Sequence, residues 1–316
     1  MPEPLEQLIQ QLNAAQSLGE TQVCQAVEHL ASEKTPAGLK AAFLAALSKK
    51  GETPEEIAAF ARALRDKSIP PPIEKNWRDS REILDVVGTG GDRLSTFNIS
   101  TTVAILCAAA GVAVAKHGNR AMTSSVGSAD VIEELGIPVD LSPADAARAL
   151  REHGFAFFFA PNFHPAFKNI APARKLCAEN GQRTIFNILG PLLNPARPSA
   201  MLVGVPRPEL CEPMARALQS LGTRRGMVVC GSVESKVQSP RRNPIWQTPQ
   251  SLPRRSHAKT GAIRNPHFFW TSFRRSAQTR SLNFITSAVL RFQLCRRKIT
   301  RCNRRRWPIC GAATKS

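Results

Sequence analysis

DVVGTGGDRLSTFNIST, residues 85–101, decides how the rest of the chain is read. It begins inside an apolar run, EILDVV (82–87), that suits a strand buried on both faces. Gly88, Gly90 and Gly91 follow at once, and without a Cβ their backbone N–H groups can approach an anion closely. A helix expected from Asn98 to Ala110 points its free amides at the same strand end, beside the hydroxyls of Ser100, Thr101 and Thr102. Strand, glycine turn and helix start make a candidate phosphate cradle. GxxxxGK(S/T) and a full GxGxxG are both absent, which argues against a P-loop NTPase and a dinucleotide-binding dehydrogenase. Taken alone, the turn also suits a plain strand-to-helix connection.

Beyond this stretch, VAVA (112–115), FAFFFA (155–160), AMLVGV (200–205) and GMVVCG (226–231) read as strands. Asp130–Leu135, Pro143–Glu152 and Glu209–Leu221 read as helices between them. The alternation predicts an α/β domain with a mostly parallel central sheet, whose ligands bind at the carboxyl ends of the strands. Residues 3–67 differ and read as short amphipathic helices, with Leu5, Ile9 and Leu12 at helical spacing. Thr35-Pro36 is expected to cap and open a helix Ala37–Ser48, and Thr53-Pro54-Glu55-Glu56 is a capping box. Pro70, Pro71 and Pro72 form a stiff joint between the two textures.

The second strand delivers KHGNRAMTSS (116–125) to the same sheet edge as the glycine turn. Lys116, His117 and Arg120 are cationic or can become so, Gly118 permits close approach, and Ser124 and Ser128 add hydroxyls. One strand–helix unit after a glycine turn, such a cluster reads as part of a polyanion site. PNFHPAFKNIAPARK (161–175) brings His164, Lys168 and Arg174, which can line one side of a pocket. In RTIFNILGPLLNP (183–195), Gly190-Pro191 and Asn194-Pro195 read as turns.

The net charge of +19 suggests a nucleic-acid binder until it is located. Residues 1–231 hold 24 Lys and Arg against 23 Asp and Glu, whereas residues 232–316 hold 19 against one, Glu234. The eight cysteines form no CxxC pair, so reduced thiols and a cytoplasmic setting are expected. No stretch is long and apolar enough for a membrane span, and the acidic N-terminus does not read as a secretory signal.

GTGGD, TFNIST, KHGNR, FHPAFKNIAPARK and RTIFNILGPLLNP, in that order and spacing, resemble the anthranilate phosphoribosyltransferase family across residues 1–231. The resemblance implies transfer of a phosphoribosyl group from phosphoribosyl pyrophosphate (PRPP) to anthranilate in tryptophan biosynthesis, with Mg²⁺ as cofactor. It implies a helical domain of dimerisation type at 1–70, joined by helices from about 165–185 and making a homodimer, and a PRPP-binding α/β domain at 75–231. Gly88, Gly91, Asp92, Thr96, Asn98, Ile99, Ser100 and Thr101 would hold PRPP. So would Lys116, His117, Gly118, Asn119, Arg120, Ala121, Met122, Thr123, Ser124 and Ser128. Ser100 would also reach the Mg²⁺. Gly88, Asn119 and Arg174 would contact anthranilate, with His117, His164 and Pro191 lining its path. No residue is implied as a general base.

The resemblance ends near Gly231. There the family continues with a segment holding an adjacent Asp-Glu pair that binds a second Mg²⁺, and this chain has no Asp after Gly231. The switch to Arg-, Ser- and Pro-rich sequence points to a reading-frame change, a disordered basic tail at 232–316 and impaired activity. The alternatives are a nucleoside phosphorylase of similar fold, or a nucleic-acid-binding protein acting through the tail.

Overall fold

A computed structural model of the chain describes residues 4–90, 97–121 and 126–231 with their side chains, and the backbone of 267–272. All of these fall within one compact unit. Four helices come first: α1 (Pro4–Asn13), α2 (Glu20–Ala31), α3 (Ala37–Lys50) and α4 (Pro54–Asp66). The capping box at Thr53 forms as expected: its hydroxyl accepts from Glu56 N at 3.2 Å, and Glu56 Oε2 accepts from Thr53 N at 2.9 Å. Glu56 does more than cap. It is buried, and it also accepts from Leu18 N at 2.9 Å and from Lys50 Nζ at 2.7 Å, tying α3, α4 and the α1–α2 loop at one carboxylate. The start of α3 differs from expectation. Pro36 itself occupies the cap position, with no side-chain bond, because Lys40 N bonds the Pro36 carbonyl at 3.1 Å.

The short helix α5 (Lys75–Asp79) leads into β1 (Ile83–Gly88), α6 (Ile99–Ala109), β2 (Ala113–Gly118), α7 (Ser128–Glu134), α8 (Pro143–His153) and β3 (Phe155–Phe159). Three helices follow, α9 (Ala160–Phe163), α10 (Phe167–Glu179) and α11 (Phe186–Leu189), then β4 (Ala200–Gly204), α12 (Cys211–Ser220), β5 (Arg225–Cys230) and β6 (His267–Ser272). The sheet order is β3-β2-β1-β4-β5-β6. The first five strands run parallel, and β6 pairs antiparallel with β5. The chain thus has a helical N-terminal domain and an α/β domain around a parallel sheet of five strands.

Three sequence expectations change. The tail, read as disordered, contributes the edge strand β6, whose residues showed no strand period; its other residues lie outside those described. Gly190-Pro191, read as a turn, opens a 3₁₀ helix Gly190–Leu193. The helix expected at Glu209–Leu221 splits into a 3₁₀ turn, Pro208–Leu210, and α12, Cys211–Ser220.

The main core joins α1–α4, α10, α12 and the α12-facing side of β4 and β5, through residues such as Phe43, Phe60, Ile170, Met214, Val203 and Val228. Lys40 Nζ donates to Asn169 O at 2.8 Å, and Asn169 Nδ2 donates to Ala31 O at 2.7 Å, so α10 is bolted to the N-terminal helices. The sheet's two faces are separated by strand alternation. Val86 and Val114 meet Ala104 of α6 on one side, while Ile83, Ala113 and Ala115 meet Ala146 and Leu150 of α8 on the other. Helix α6 is apolar around its whole circumference, yet only Thr101 and Ala104 are fully buried, and Ile99 and Leu106 are exposed.

Candidate active site at the carboxyl ends of the strands

β1, β2, β3 and β4 end together, and the glycine turn leaves from this end. Gly88 pairs with Gly204 in the ladder, so two strand ends meet without a side chain between them. Thr89 N continues the pairing to Gly204 O at 3.0 Å, and Gly90 then turns away at φ +74°, a conformation that suits glycine. At the start of α6, Ile99 N is occupied by Phe97 O at 2.7 Å, leaving the amides of Ser100 and Thr101 without a partner among the described residues. The buried Thr101 hydroxyl also has none among them. These are donors of the kind an anion takes. Gly91, Asp92, Thr96, Met122, Thr123 and Ser124 lie outside the described residues.

The second anion-facing segment is held against the first. Asn98 Nδ2 donates to Val126 O at 3.4 Å and Gly127 O at 3.3 Å. The Asp130 carboxylate accepts from Gly127 N at 2.7 Å and Ala121 N at 3.3 Å, and Asn119 O accepts from Ser128 Oγ at 3.2 Å. The loop that leaves at Asn119 therefore closes on itself at Gly127. A Cβ on Gly127 would lie 2.2 Å from Ala121 N, so the neck has no room for any other residue.

Two predicted cations have protein partners in this arrangement. Lys116 is 1 % exposed, and its Nζ donates to Val86 O at 2.9 Å inside the sheet; burial lowers its pKa. Arg120 is held by Asp130 at 3.1 Å and Glu133 at 2.8 Å, and these carboxylates raise its pKa further. The physical reason is the same for both: each head group has a nearer protein acceptor than the open strand end.

Sequence reasoning missed a buried polar cluster beneath the site. Asp85 is fully buried, and burial raises its pKa to about 6 against the pull of Lys116, Asn194 and the His117 amide. Asn194 Nδ2 donates to Asp85 Oδ2 at 2.9 Å and to Ala115 O at 2.8 Å, while its Oδ1 accepts from Ala196 N at 2.9 Å. This one side chain ties β1 and β2 to the segment between α11 and β4. The signal available was a charged residue in an otherwise apolar strand, which calls for a partner elsewhere.

On the acceptor side, His117 and His164 do come together, with Nε2 atoms 3.2 Å apart. Burial, then the neighbouring ring, pushes His117 well below the usual imidazole range, and burial brings His164 to about 4. The backbone of Gly190, next to Pro191, offsets part of this lowering at His117, and that of Leu193 does so at His164. From His164 a wall of rings runs outward, to Phe167 at 5.2 Å and on to Phe186 at 5.7 Å. Arg174 closes it, its guanidinium 5.3 Å from the Phe186 ring centre. No described carboxylate pairs with Arg174, and burial lowers its pKa. His117, His164 and Arg174 were expected; Phe167 and Phe186, which connect them, were not. Among the described residues no group of three or more His, Cys, Asp or Glu could hold a metal.

Comparison with known proteins matches this architecture. Residues 80–255 match the model of the glycosyl transferase family, a/b domain, and residues 6–68 that of the glycosyl transferase family, helical bundle domain. The first match runs past Gly231, where the sequence resemblance was read as ending. An anthranilate phosphoribosyltransferase of Roseiflexus sp. is 46% identical over 228 residues, 72% of this chain and 64% of that one. That of Geobacter sulfurreducens is 52% identical over 206 residues, 62% of this chain and 58% of that one. The chain therefore spans less than two thirds of the length of these curated relatives. Among solved structures, the Thermus thermophilus anthranilate phosphoribosyltransferase superposes with a TM-score of 0.65 at 43% identity, covering 73% of this chain and 67% of that one. The Saccharomyces cerevisiae enzyme in complex with PRPP and Mg superposes at 0.63 and 28% identity, covering 71% of this chain and 65% of that one.

Proposed function

The chain belongs to the glycosyl transferase family whose helical bundle and a/b domains it carries, and on that footing we propose that it is built to join PRPP to anthranilate. The products are N-(5-phosphoribosyl)anthranilate and pyrophosphate, a step of tryptophan biosynthesis. The observation that carries this reading is the ring wall from His117 to Phe186, ended by an arginine without a carboxylate partner among the described residues, at the same sheet edge as the glycine turn. A flat aromatic acid fits it: the ring lies along the wall and the carboxylate meets Arg174. PRPP fits the other half, where the amides of Ser100 and Thr101 and the glycine backbone would hold its phosphates.

Mg²⁺ suits this site as a cation that arrives with its pyrophosphate, since it keeps its waters and binds mainly through substrate phosphates, with the Ser100 hydroxyl in reach. When bound it stabilises charge on the departing pyrophosphate. In the reaction the C1′–O bond breaks and its electron pair leaves with pyrophosphate, while the anthranilate nitrogen lone pair forms the new C1′–N bond. The protein's own contribution is alignment of the two substrates and oriented amides at the developing charge. The nitrogen then sheds a proton to water. A helical-domain homodimer and a cytoplasmic setting complete the proposal.

The tail lacks the Asp-Glu pair that the resemblance implies for a second Mg²⁺, so turnover is expected to be slow. The test is calorimetric titration of PRPP with and without Mg²⁺, followed by fluorescence-monitored anthranilate consumption. Mg²⁺-dependent PRPP binding, and an Arg174→Ala variant whose KM for anthranilate rises at least tenfold while that for PRPP holds, are expected. No PRPP binding, or an unchanged anthranilate KM, sinks the reading.

A further inference from the structure

A second cavity, of about 520 Å³, opens at the opposite end of the sheet. Pro198 and Ser199, just before β4, and Thr223 and Arg224, just before β5, form its floor, so it sits at the amino ends of strands whose carboxyl ends meet the site above. Five arginines from four separate segments line it: Arg62 and Arg65 of α4, Arg78 of α5, Arg197, and Arg224. Only two carboxylates share the lining, Asp66 and Asp79.

Those carboxylates, and two from outside the cavity, leave the arginines unevenly matched. Arg197 pairs with Asp66 at 2.9 Å, Arg224 with Glu82 at 2.8 Å, and Arg62 with Glu20, whereas Asp79 is taken by Lys75. Arg65 and Arg78 have no described carboxylate partner. Arg65 Nε donates to Leu192 O at 2.5 Å; Arg78 donates to Ala196 O at 2.6 Å and Arg197 O at 3.1 Å. One guanidinium can satisfy a carbonyl or two and still present N–H groups to a ligand, since it carries five. Burial, then the nearby Arg197, lowers the pKa of both against the pull of Asp66 and Asp85 on Arg65 and of Asp79 on Arg78, with Arg65 at about 10. The cavity thus gathers two guanidinium groups that lack a described carboxylate pair beside three that have one.

Arg197 adds an independent observation. It holds φ +47°, in the left-handed region that disfavours any residue with a Cβ. Its exposed pair with Asp66 does little to offset that cost. The strain is intelligible if the side chain is needed at the cavity.

We propose that this arginine-lined cavity is a second, non-catalytic site for a small phosphorylated molecule. Guanidinium forks match phosphate oxygens two at a time, and the volume suits a ligand the size of a sugar phosphate or nucleotide. The ligand's phosphate would sit between Arg65, Arg78 and Arg197.

The test uses the full chain and inorganic phosphate without Mg²⁺, titrated against sodium chloride of equal ionic strength, with thermal unfolding as the readout. Three variants are compared. Arg197→Gly removes the charge and relieves the backbone, Arg78→Gln removes an unpaired cation, and Asn98→Ala loosens the glycine-turn site at the other end. Phosphate should raise the unfolding temperature of the parent and of Asn98→Ala. In Arg197→Gly and Arg78→Gln the same rise should need at least tenfold more phosphate. Arg197→Gly should match or exceed the parent's stability in chloride, so its result stands even if Arg78→Gln folds poorly. An equal response in all four proteins overturns the proposal, as does a response lost only in Asn98→Ala.

Discussion

Replacing Asn194 by Ala tests whether the buried cluster under the site is a structural necessity. The substitution takes a partner from three groups at once: the Asp85 carboxylate, which keeps the His117 amide at 3.4 Å, the Ala115 carbonyl and the Ala196 amide, all within 2.9 Å of the amide that is removed. A buried group left without a partner costs about 1–3 kcal/mol, more if charged, so the loss should be about 4 kcal/mol. That is a large share of the roughly 5–15 kcal/mol that holds a typical protein folded. The cost should also depend on pH. Asp85 is raised from 3.8 to about 6, so between those values the folded state binds more proton than the unfolded state. Its contribution to stability is therefore fully favourable below 3.8, declines as pH rises through this window and levels off above about 6. Asn194 lowers the Asp85 pKa by donating to the charged form, so the variant should lose more at pH 8 than at pH 5. Urea unfolding followed by circular dichroism at both values measures this. A loss under about 1 kcal/mol, or the same loss at both pH values, would refute the assignment of Asn194 as partner to a buried charge.

Two further substitutions probe the loop and the uncovered helix. Gly118→Ala would bring a Cβ to 2.2 Å from Ser128 Oγ and 3.0 Å from the Phe157 ring; it should cost about 1–3 kcal/mol and weaken PRPP binding. Ser128→Ala in the same chain should restore part of the stability, because it removes the colliding hydroxyl, and failure to do so in a thermal melt would count against the packing argument. Leu106→Lys, on the exposed side of α6, should leave stability within about 0.5 kcal/mol and reduce binding of the dye anilinonaphthalene sulfonate, which reports exposed apolar surface. A loss above about 2 kcal/mol would show that Leu106 is packed after all.

What the sequence showed and what it hid divide along one physical line. The strands, the helix starts and the glycine turn were legible because their causes are local. Continuous apolar runs, the Thr53–Glu56 box and the run of glycines each act within a few residues. The helix α3 start failed on the same scale, because a threonine before a proline satisfies the rule for a cap in sequence while the backbone places the proline there instead. The site was legible as a set of segments but not as a set of roles. Lys116 and Arg120 look alike in KHGNR, and nothing local tells that one turns inward to Val86 O while the other meets carboxylates ten and thirteen residues later. Asp85 and Asn194 are 109 residues apart, so no periodicity links them, and each has a plausible local reading as strand interior or turn. A charge in a buried strand was nonetheless a signal, since burial without a partner is too costly to persist. The same rule applied to cations points to the cavity at the other end of the sheet. Arg65 and Arg78 sit on unremarkable helices in the sequence, and only the fold reveals that they share a cavity with Arg197, a residue held in a strained backbone.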